Sequence, residues 1–256
     1  MNHVCFSSKG SEVEFKGRFI KSKKETRKSP LVIMLTGDGR KGSKSFSWTN
    51  IPPRLQGIGV SSFLFDFQGL GYSDGRRETL TVSRGIENFK AAWEEILKAD
   101  WVDHDNISFF ASSFGATVLL LCPEIANQAK SIGLKSPAAF LPDAYFNEIG
   151  AEHFDKWRVE GYLPENGYDF SVFTDSLFYN VFSSANCITT PCLITQGDRD
   201  EVIPVQQTLY LYESLSSNNK QLVIFEGVGH GYHEGDSFER MAEMFVTSFK
   251  KRMTLL

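Results

Sequence analysis

The 256-residue chain has no apolar run long enough to suggest a membrane span. Its N-terminus lacks the charged head, apolar stretch and small-residue cleavage site of a secretory signal, so a cytoplasmic location is expected. Cysteine is scarce. Cys5, Cys122, Cys187 and Cys192 are scattered without metal-ligand spacing, so reduced thiols are expected rather than a disulfide framework or a metal site. Pro191 and the adjoining strand argue against a Cys187–Cys192 bridge. Positive charge is short as well: 27 Lys and Arg face 31 Asp and Glu, a net charge of −4, which gives no footprint for nucleic acid. The one basic run, Lys21 to Lys28, reads as a solvated loop before Pro30. There is no internal repeat and no low-complexity tract.

With 41% hydrophobic and 23% charged residues, the composition is that of an ordinary globular protein. Two strands, around His3 to Ser8 and Ser11 to Ile20, suggest an antiparallel start. Leu31 to Leu35 is then continuously apolar, as in a strand buried on both faces. Strand and helix alternate from there on. Strands are expected at Val60 to Asp66, Ile107 to Ala111, Ser131 to Lys135, Cys192 to Thr195 and Leu222 to Phe225. Helices are expected at Phe46 to Gln56, Val82 to Ala99, Ala116 to Cys122, Val205 to Ser217 and Phe238 to Lys251. This rhythm predicts an α/β fold, a mostly parallel sheet with helices on both faces. One segment breaks it. Residues 137–190 carry 12 Phe, Tyr and Trp side chains in 54 residues, too apolar for a solvated linker.

The chemistry concentrates where the Ile107 strand meets its helix, in Ala111-Ser112-Ser113-Phe114-Gly115. A serine on a sharp strand-to-helix turn needs small neighbours two residues away on either side, because the backbone folds back too tightly for bulk. Ser113 has Ala111 and Gly115 at those offsets; Ser112 has Phe110 and Phe114, which would collide. Ser113 is the candidate nucleophile, the alternative being a plain helix N-cap at either serine. A serine hydroxyl needs a base to take its proton and a carboxylate to orient that base. Gly197-Asp198-Arg199-Asp200 follows the Cys192 strand, and Gly229-His230-Gly231 follows the Leu222 strand. Both loops fall at strand C-termini, where open α/β sheets build their sites.

Serine, acid and histidine in this order resemble the α/β-hydrolase superfamily, from about Leu31 to the C-terminus. The resemblance extends to Asp66-Phe67-Gln68-Gly69-Leu70-Gly71-Tyr72-Ser73-Asp74-Gly75, similar to a turn after the fourth strand of many such esterases and read here as structural. It implies a sheet of about eight strands and a Ser113, Asp200, His230 triad. Asp200 is favoured over Asp198 by its place between Gly197 and Pro204, and His230 over His233 by its glycine-flanked loop. The backbone N–H groups of Phe114 and Asp38 would form the oxyanion hole. Thr36-Gly37-Asp38-Gly39 departs from the family's usual His-Gly-x, and an inward Asp38 carboxylate would oppose an oxyanion. Its side chain is therefore expected to turn away, or to pair with Arg40 or Lys41.

The resemblance also implies a core of residues 1–136 and 191–256, with residues 137–190 inserted as a cap between the sixth and seventh sheet strands. Phe146, Trp157, Phe173 and Phe178 of that cap are candidates to line an apolar acyl or aryl pocket. The alternative is that its rings form their own core, with Asp143 to Val159 one helix carrying Phe146, Ile149, Phe154 and Trp157. The expected function is cleavage of a small to medium carboxylic ester through an acyl-enzyme at Ser113, with no cofactor and no metal. A thioesterase and a lysophospholipase or monoacylglycerol lipase are the nearest alternatives. Peptidase activity ranks lower, since nothing resembles a propeller or other peptide-selecting domain. A hydrolase fold retained for ligand binding is the alternative of another class. The expected partner is a small-molecule ester or thioester and not a nucleic acid, and no integral membrane segment is expected.

Overall fold

A computed structural model describes residues 3–10, 12–24, 27–164 and 167–254. Ser11, the first residue of an expected strand, and Glu25 and Thr26 of the basic run lie outside the described residues. The strands are β1 (Val4–Phe6), β2 (Phe15–Ile20), β3 (Ser29–Leu35), β4 (Ser61–Phe65), β5 (Val102–Ser113), β6 (Ile132–Pro137), β7 (Tyr162–Leu163), β8 (Tyr168–Asp169), β9 (Cys192–Gly197) and β10 (Lys220–Phe225). Eight of them form one sheet in the order β1-β2-β4-β3-β5-β6-β9-β10. Within this sheet only the β1–β2 and β2–β4 pairs are antiparallel and the others are parallel, while β7 and β8 form a separate antiparallel hairpin.

Side-chain alternation on the central strands divides the interior in two. Leu31, Ile33, Leu35, Phe109 and Ala111 face one apolar layer, closed by α2 (Val82–Leu97) and α3 (Phe114–Leu120). Val32, Met34 and Phe110 face the other, closed by α1 (Phe46–Gly57) and, at the end of the chain, a helix over Ser237–Arg252. Both faces of β3 are buried, which is why its sequence shows no polar alternation.

Between β6 and β9 the chain forms α4's successors rather than one crossover helix, α4 itself (Pro123–Ala126) lying before β6. These are α5 (Leu141–Ile149), α6 (Ala151–Glu160), the β7–β8 hairpin, α7 (Ser171–Ser176) and α8 (Val181–Ala185). The single helix expected over Asp143 to Val159 is broken: Gly150, at φ 81° and ψ 147°, separates α5 from α6. The extended turn lets α6 fold back so that Trp157 is fully buried and its Nε1 donates to the Tyr168 carbonyl at 2.9 Å. After β9 come α9 (Val205–Ser214) and, beyond β10, α10 (Ser237–Arg252).

The Asp66 to Gly75 turn ties the β4 end to the loop after β3. The buried Asp66 carboxylate accepts from Ser43 N (2.5 Å), Ser43 Oγ (2.9 Å) and Tyr72 N (3.0 Å). Gly71, at φ +54°, packs so closely on this carboxylate that a Cβ there would overlap it. We expect Gly71→Ala to lower unfolding stability by about 2–3 kcal/mol in urea denaturation, from left-handed strain plus displacement of Asp66. Gly161→Ala, at φ +76° with open space around it, is the control and should cost only about 1 kcal/mol.

Candidate active site

β5 runs into Ser113 and α3 begins at the next residue. Ser113 has φ 49° and ψ −121°, a conformation that costs about 1–3 kcal/mol in a non-glycine residue and persists only where its surroundings enforce it. They do. A Cβ at Gly115 would overlap the Thr36 and Leu35 carbonyl oxygens, so the end of β3 lies directly against the turn. A Cβ at Gly37 would stand 3.3 Å from that of Ser113, and Ala111 is fully buried. The small residues that the turn requires are thus small because β3 occupies the space. The strand ladder registers the bend: Ser112 pairs with Lys135, but Ser113 pairs with Pro137.

Asp200 and His230 are brought together by the loops after β9 and β10. His230 Nδ1 and Asp200 Oδ2 are 2.7 Å apart. The other Asp200 oxygen accepts from Val202 N (3.0 Å) and Ile203 N (2.8 Å), and Gln196 Nε2 donates to Oδ2 at 2.9 Å. Burial pushes this carboxyl up, but the bond and charge of His230 and the Ile203 and Gln196 donors outweigh it and hold Asp200 below the usual carboxylate range. An ionised Asp200 fixes the imidazole with its Nδ1 proton inward and leaves Nε2 as acceptor. Asp198 is exposed and accepts from Gly227 N at 2.7 Å, shaping the turn after β10. His233 is exposed as well.

Ser113 and His230 line one cavity of about 480 Å³, and His233 borders it too. Its other walls come from the loop after β3 (Gly37, Asp38), the start of α1 (Phe46, Trp48), Lys135 and Glu148. Its aromatic rings are therefore those of α1. The aromatics of residues 137–190 singled out from the sequence do not line this cavity, and their packing shows why. Trp157 and Phe173 pack with Phe154 and Phe170, mostly edge to face, in a cluster of their own, Phe146 packs on Phe154, and Phe178 is 87% exposed.

The Asp38 side chain pairs with neither Arg40 nor Lys41. Tyr168 donates its hydroxyl to Asp38 Oδ2 at 2.6 Å, and the buried Arg77 donates Nε to the Asp38 carbonyl at 2.8 Å while also reaching the Tyr168 hydroxyl. Arg40 instead faces Glu78 at 3.5 Å. Tyr168 is 130 residues from Asp38, so nothing local in the sequence announces this clamp. Glu148, open along the cavity, has a carboxyl pushed up to about 7 by surrounding protein, with the Asp38 charge adding and the Arg77 charge subtracting. Lys135 is the one ionisable residue of β6, and a lysine in so apolar a strand is the sequence signal that marks it. Among the described residues no group of three or more His, Cys, Asp or Glu side chains could hold a metal ion. No helix among them is long and apolar enough to cross a membrane. Tyr168→Phe removes the neutral donor to a carboxylate and should lower thermal and urea stability by about 1.5–3 kcal/mol, whereas Tyr162→Phe on the exposed strand of the same hairpin should not.

Comparison with known proteins agrees with this architecture. An uncharacterized protein of Mycobacterium tuberculosis is 24% identical over 201 residues, 78% of this chain and 63% of the relative. The chain thus spans less than two thirds of that relative's length. Est1E from Butyrivibrio proteoclasticus, solved with ferulic acid bound, superposes with a TM-score of 0.81 at 23% identity, covering 97% of this chain and 96% of its own. Mouse alpha/beta hydrolase domain-containing protein 10 superposes at 0.76 and 17% identity, covering 98% and 99%. At these identities the likeness is one of fold, that of the α/β-hydrolases. Residues 72–254, which include Ser113, Asp200 and His230, match the prolyl oligopeptidase family profile, and the chain belongs to that family of the α/β-hydrolase superfamily.

Proposed function

We propose that this protein is a serine hydrolase that cleaves a carboxylic ester of a small to medium acyl or aryl substrate. The observation that carries the reading is the His230 imidazole, held by the buried Asp200 carboxylate and lining one cavity with a serine held at positive φ. In this reading Ser113 Oγ attacks the ester carbonyl while His230 Nε2 takes its proton. Asp200 stabilises the imidazolium that forms and keeps the ring in its tautomer. The carbonyl oxygen, now an anion, is met by the N–H groups of Phe114 and Asp38, donors worth about 10²–10³ in rate each. His230 then gives its proton to the departing alcohol, leaving an acyl-enzyme on Ser113. Water repeats the sequence and releases the acid.

The Asp38 carboxylate does not face the oxyanion in this arrangement, because the Tyr168 hydroxyl holds it on the side of the β7–β8 hairpin while Arg77 holds the Asp38 main-chain carbonyl. Residues 137–190 serve as a cap in this reading, and residues 1–136 and 191–256 as the core. The aromatic part of the substrate site is Phe46 and Trp48, with Glu148 the cap's contribution. Membership of a family named for oligopeptide cleavage favours a peptide amide as the second reading. Thioesters would use the same groups.

A fluorophosphonate probe should label the wild type and leave Ser113→Ala unlabelled. Asp200→Asn should lower kcat on p-nitrophenyl esters by about 10⁴, and Asp198→Asn should leave it nearly unchanged. Esters of graded chain length, acyl thioesters and a proline-containing peptide anilide, run together, rank the three substrate classes, with the short aryl ester expected to be fastest. Labelling of Ser113→Ala contradicts the assignment of the nucleophile, and turnover of none of these by a protein that the probe does not label contradicts the proposal and favours a hydrolase fold used for binding.

A further inference from the structure

Lys135, near the C-terminal end of β6, is only 6% exposed, in a strand whose every residue is buried. A buried ammonium is costly unless something specific holds it. Here its Nζ donates to the backbone carbonyl of His230 at 3.1 Å and lies 4.9 Å from the centre of the Tyr232 ring. The two contacts fall two residues apart on one loop. Tyr232 makes this possible by adopting φ 57°, and its buried ring packs on Phe225 at 5.3 Å. The His230 side chain is held at its Nδ1 by Asp200 and its main chain at the carbonyl by Lys135. Both ends of the residue are thereby fixed.

We propose that Lys135 is a positioning residue for His230: its buried ammonium grips the carbonyl of that histidine and so aims the imidazole at Ser113, making the hydrolase active only while Lys135 is protonated. The proposal rests on the triad reading above and adds to it the group that limits activity at alkaline pH. A neutral amine is a weaker donor with no charge to hold the carbonyl or the Tyr232 face, so the loop loses its second anchor.

The groups facing Lys135 leave it as the one that changes state. Burial, opposed by the Asp200 charge, lowers the lysine to about 8. Asp200, on the β9–α9 loop, is held below the carboxylate range and stays ionised through that window. Tyr232, on the β10–α10 loop, is pushed up by burial and stays neutral. Asp38, Arg40, Lys41, Glu148 and His233 border the same cavity, and Glu148, pushed up to about 7, titrates on the acid side of the window. Because the lysine is depressed in the folded state, its burial costs stability below about 8, and that cost is relieved as pH rises toward the ordinary lysine value. Stability and activity should therefore move in opposite directions.

The test is the second-order rate constant of fluorophosphonate labelling from neutral pH to about 10, which needs no knowledge of the natural substrate. The wild-type rate should fall with a midpoint near about 8. Lys135→Met, checked for folding by circular dichroism, should label about 10–100-fold more slowly at neutral pH and show no such fall. Lys135→Gln, which keeps a neutral donor, should lose less rate and also lack the fall, so the outcome does not depend on one variant folding. In ester hydrolysis the loss should appear in kcat with KM little changed. The melting temperature of the wild type relative to Lys135→Gln should rise over the range in which its activity falls. A flat wild-type profile, or an alkaline fall retained in both folded variants, overturns the role of Lys135 and leaves the triad standing. Failure of the wild type to label at all overturns the triad reading and this role with it.

Discussion

The turn at Ser113 is the constraint around which the rest of the chain is arranged. A serine at φ 49° between a parallel strand and a helix is unfavourable by itself, and it persists because β3, β5 and β6 leave the backbone no other course. Gly115 lies against the β3 carbonyls, and Gly85 lets α2 approach the Phe114 ring and Val118 on α3. The Ser113 carbonyl accepts from Ala138 N at 3.4 Å, and Thr117 Oγ1 donates to the Ala138 carbonyl at 2.5 Å, so the turn also anchors the start of the 137–190 segment. Among the described residues the non-glycine positions with positive φ are Ser113, Ser136 and Tyr232. Ser136 follows Lys135 on β6 and Tyr232 follows the His230 loop. Backbone strain is thus collected at one end of the sheet, where the cavity is.

Charge is handled by the same economy of position. Each buried acid near the site has donors that define its direction. Asp200 is surrounded by two backbone N–H groups, Gln196 and His230, and Gln196 is itself oriented by Thr208 at 2.9 Å. Asp66 joins the β4 turn to the loop that carries Asp38. The Tyr168 hydroxyl takes the Asp38 carboxylate and Arg77 its main-chain carbonyl, which leaves the main-chain N–H as the feature offered to the cavity in the proposed mechanism. A carboxylate that the residue pattern alone marks as an obstacle becomes a clasp between the loop after β3 and the β7–β8 hairpin.

Local chemistry made much of this legible before any coordinates. The parallel strands are short and apolar, and the turn at Ser113 needs small residues at fixed offsets, so both are written within a few residues. The pairing of Asp200 with His230 was legible through loop position, since strand C-termini of a parallel sheet converge. What was illegible depends on contacts across long separations. Helical spacing from Asp143 to Val159 held on both sides of Gly150, yet the ring cluster around Trp157 requires a reversal there that spacing cannot express. Aromatic density likewise could not distinguish rings that fill a segment's own interior from rings that line a cavity. The Phe46 and Trp48 walls come from an expected helix whose sequence does not mark which side borders a cavity, and the Tyr168–Asp38 bond from a partner far along the chain.

The central claim is that the Ser113 turn, the loop after β3 and His230 form one acyl-transfer site. A crystal structure of the protein inactivated with a small alkyl fluorophosphonate tests it most directly. A phosphonyl group is expected on Ser113 Oγ, its oxygen accepting from the N–H groups of Phe114 and Asp38, with the Asp38 carboxylate still on Tyr168. An adduct on another residue, or a phosphonyl oxygen directed away from both N–H groups, would contradict it.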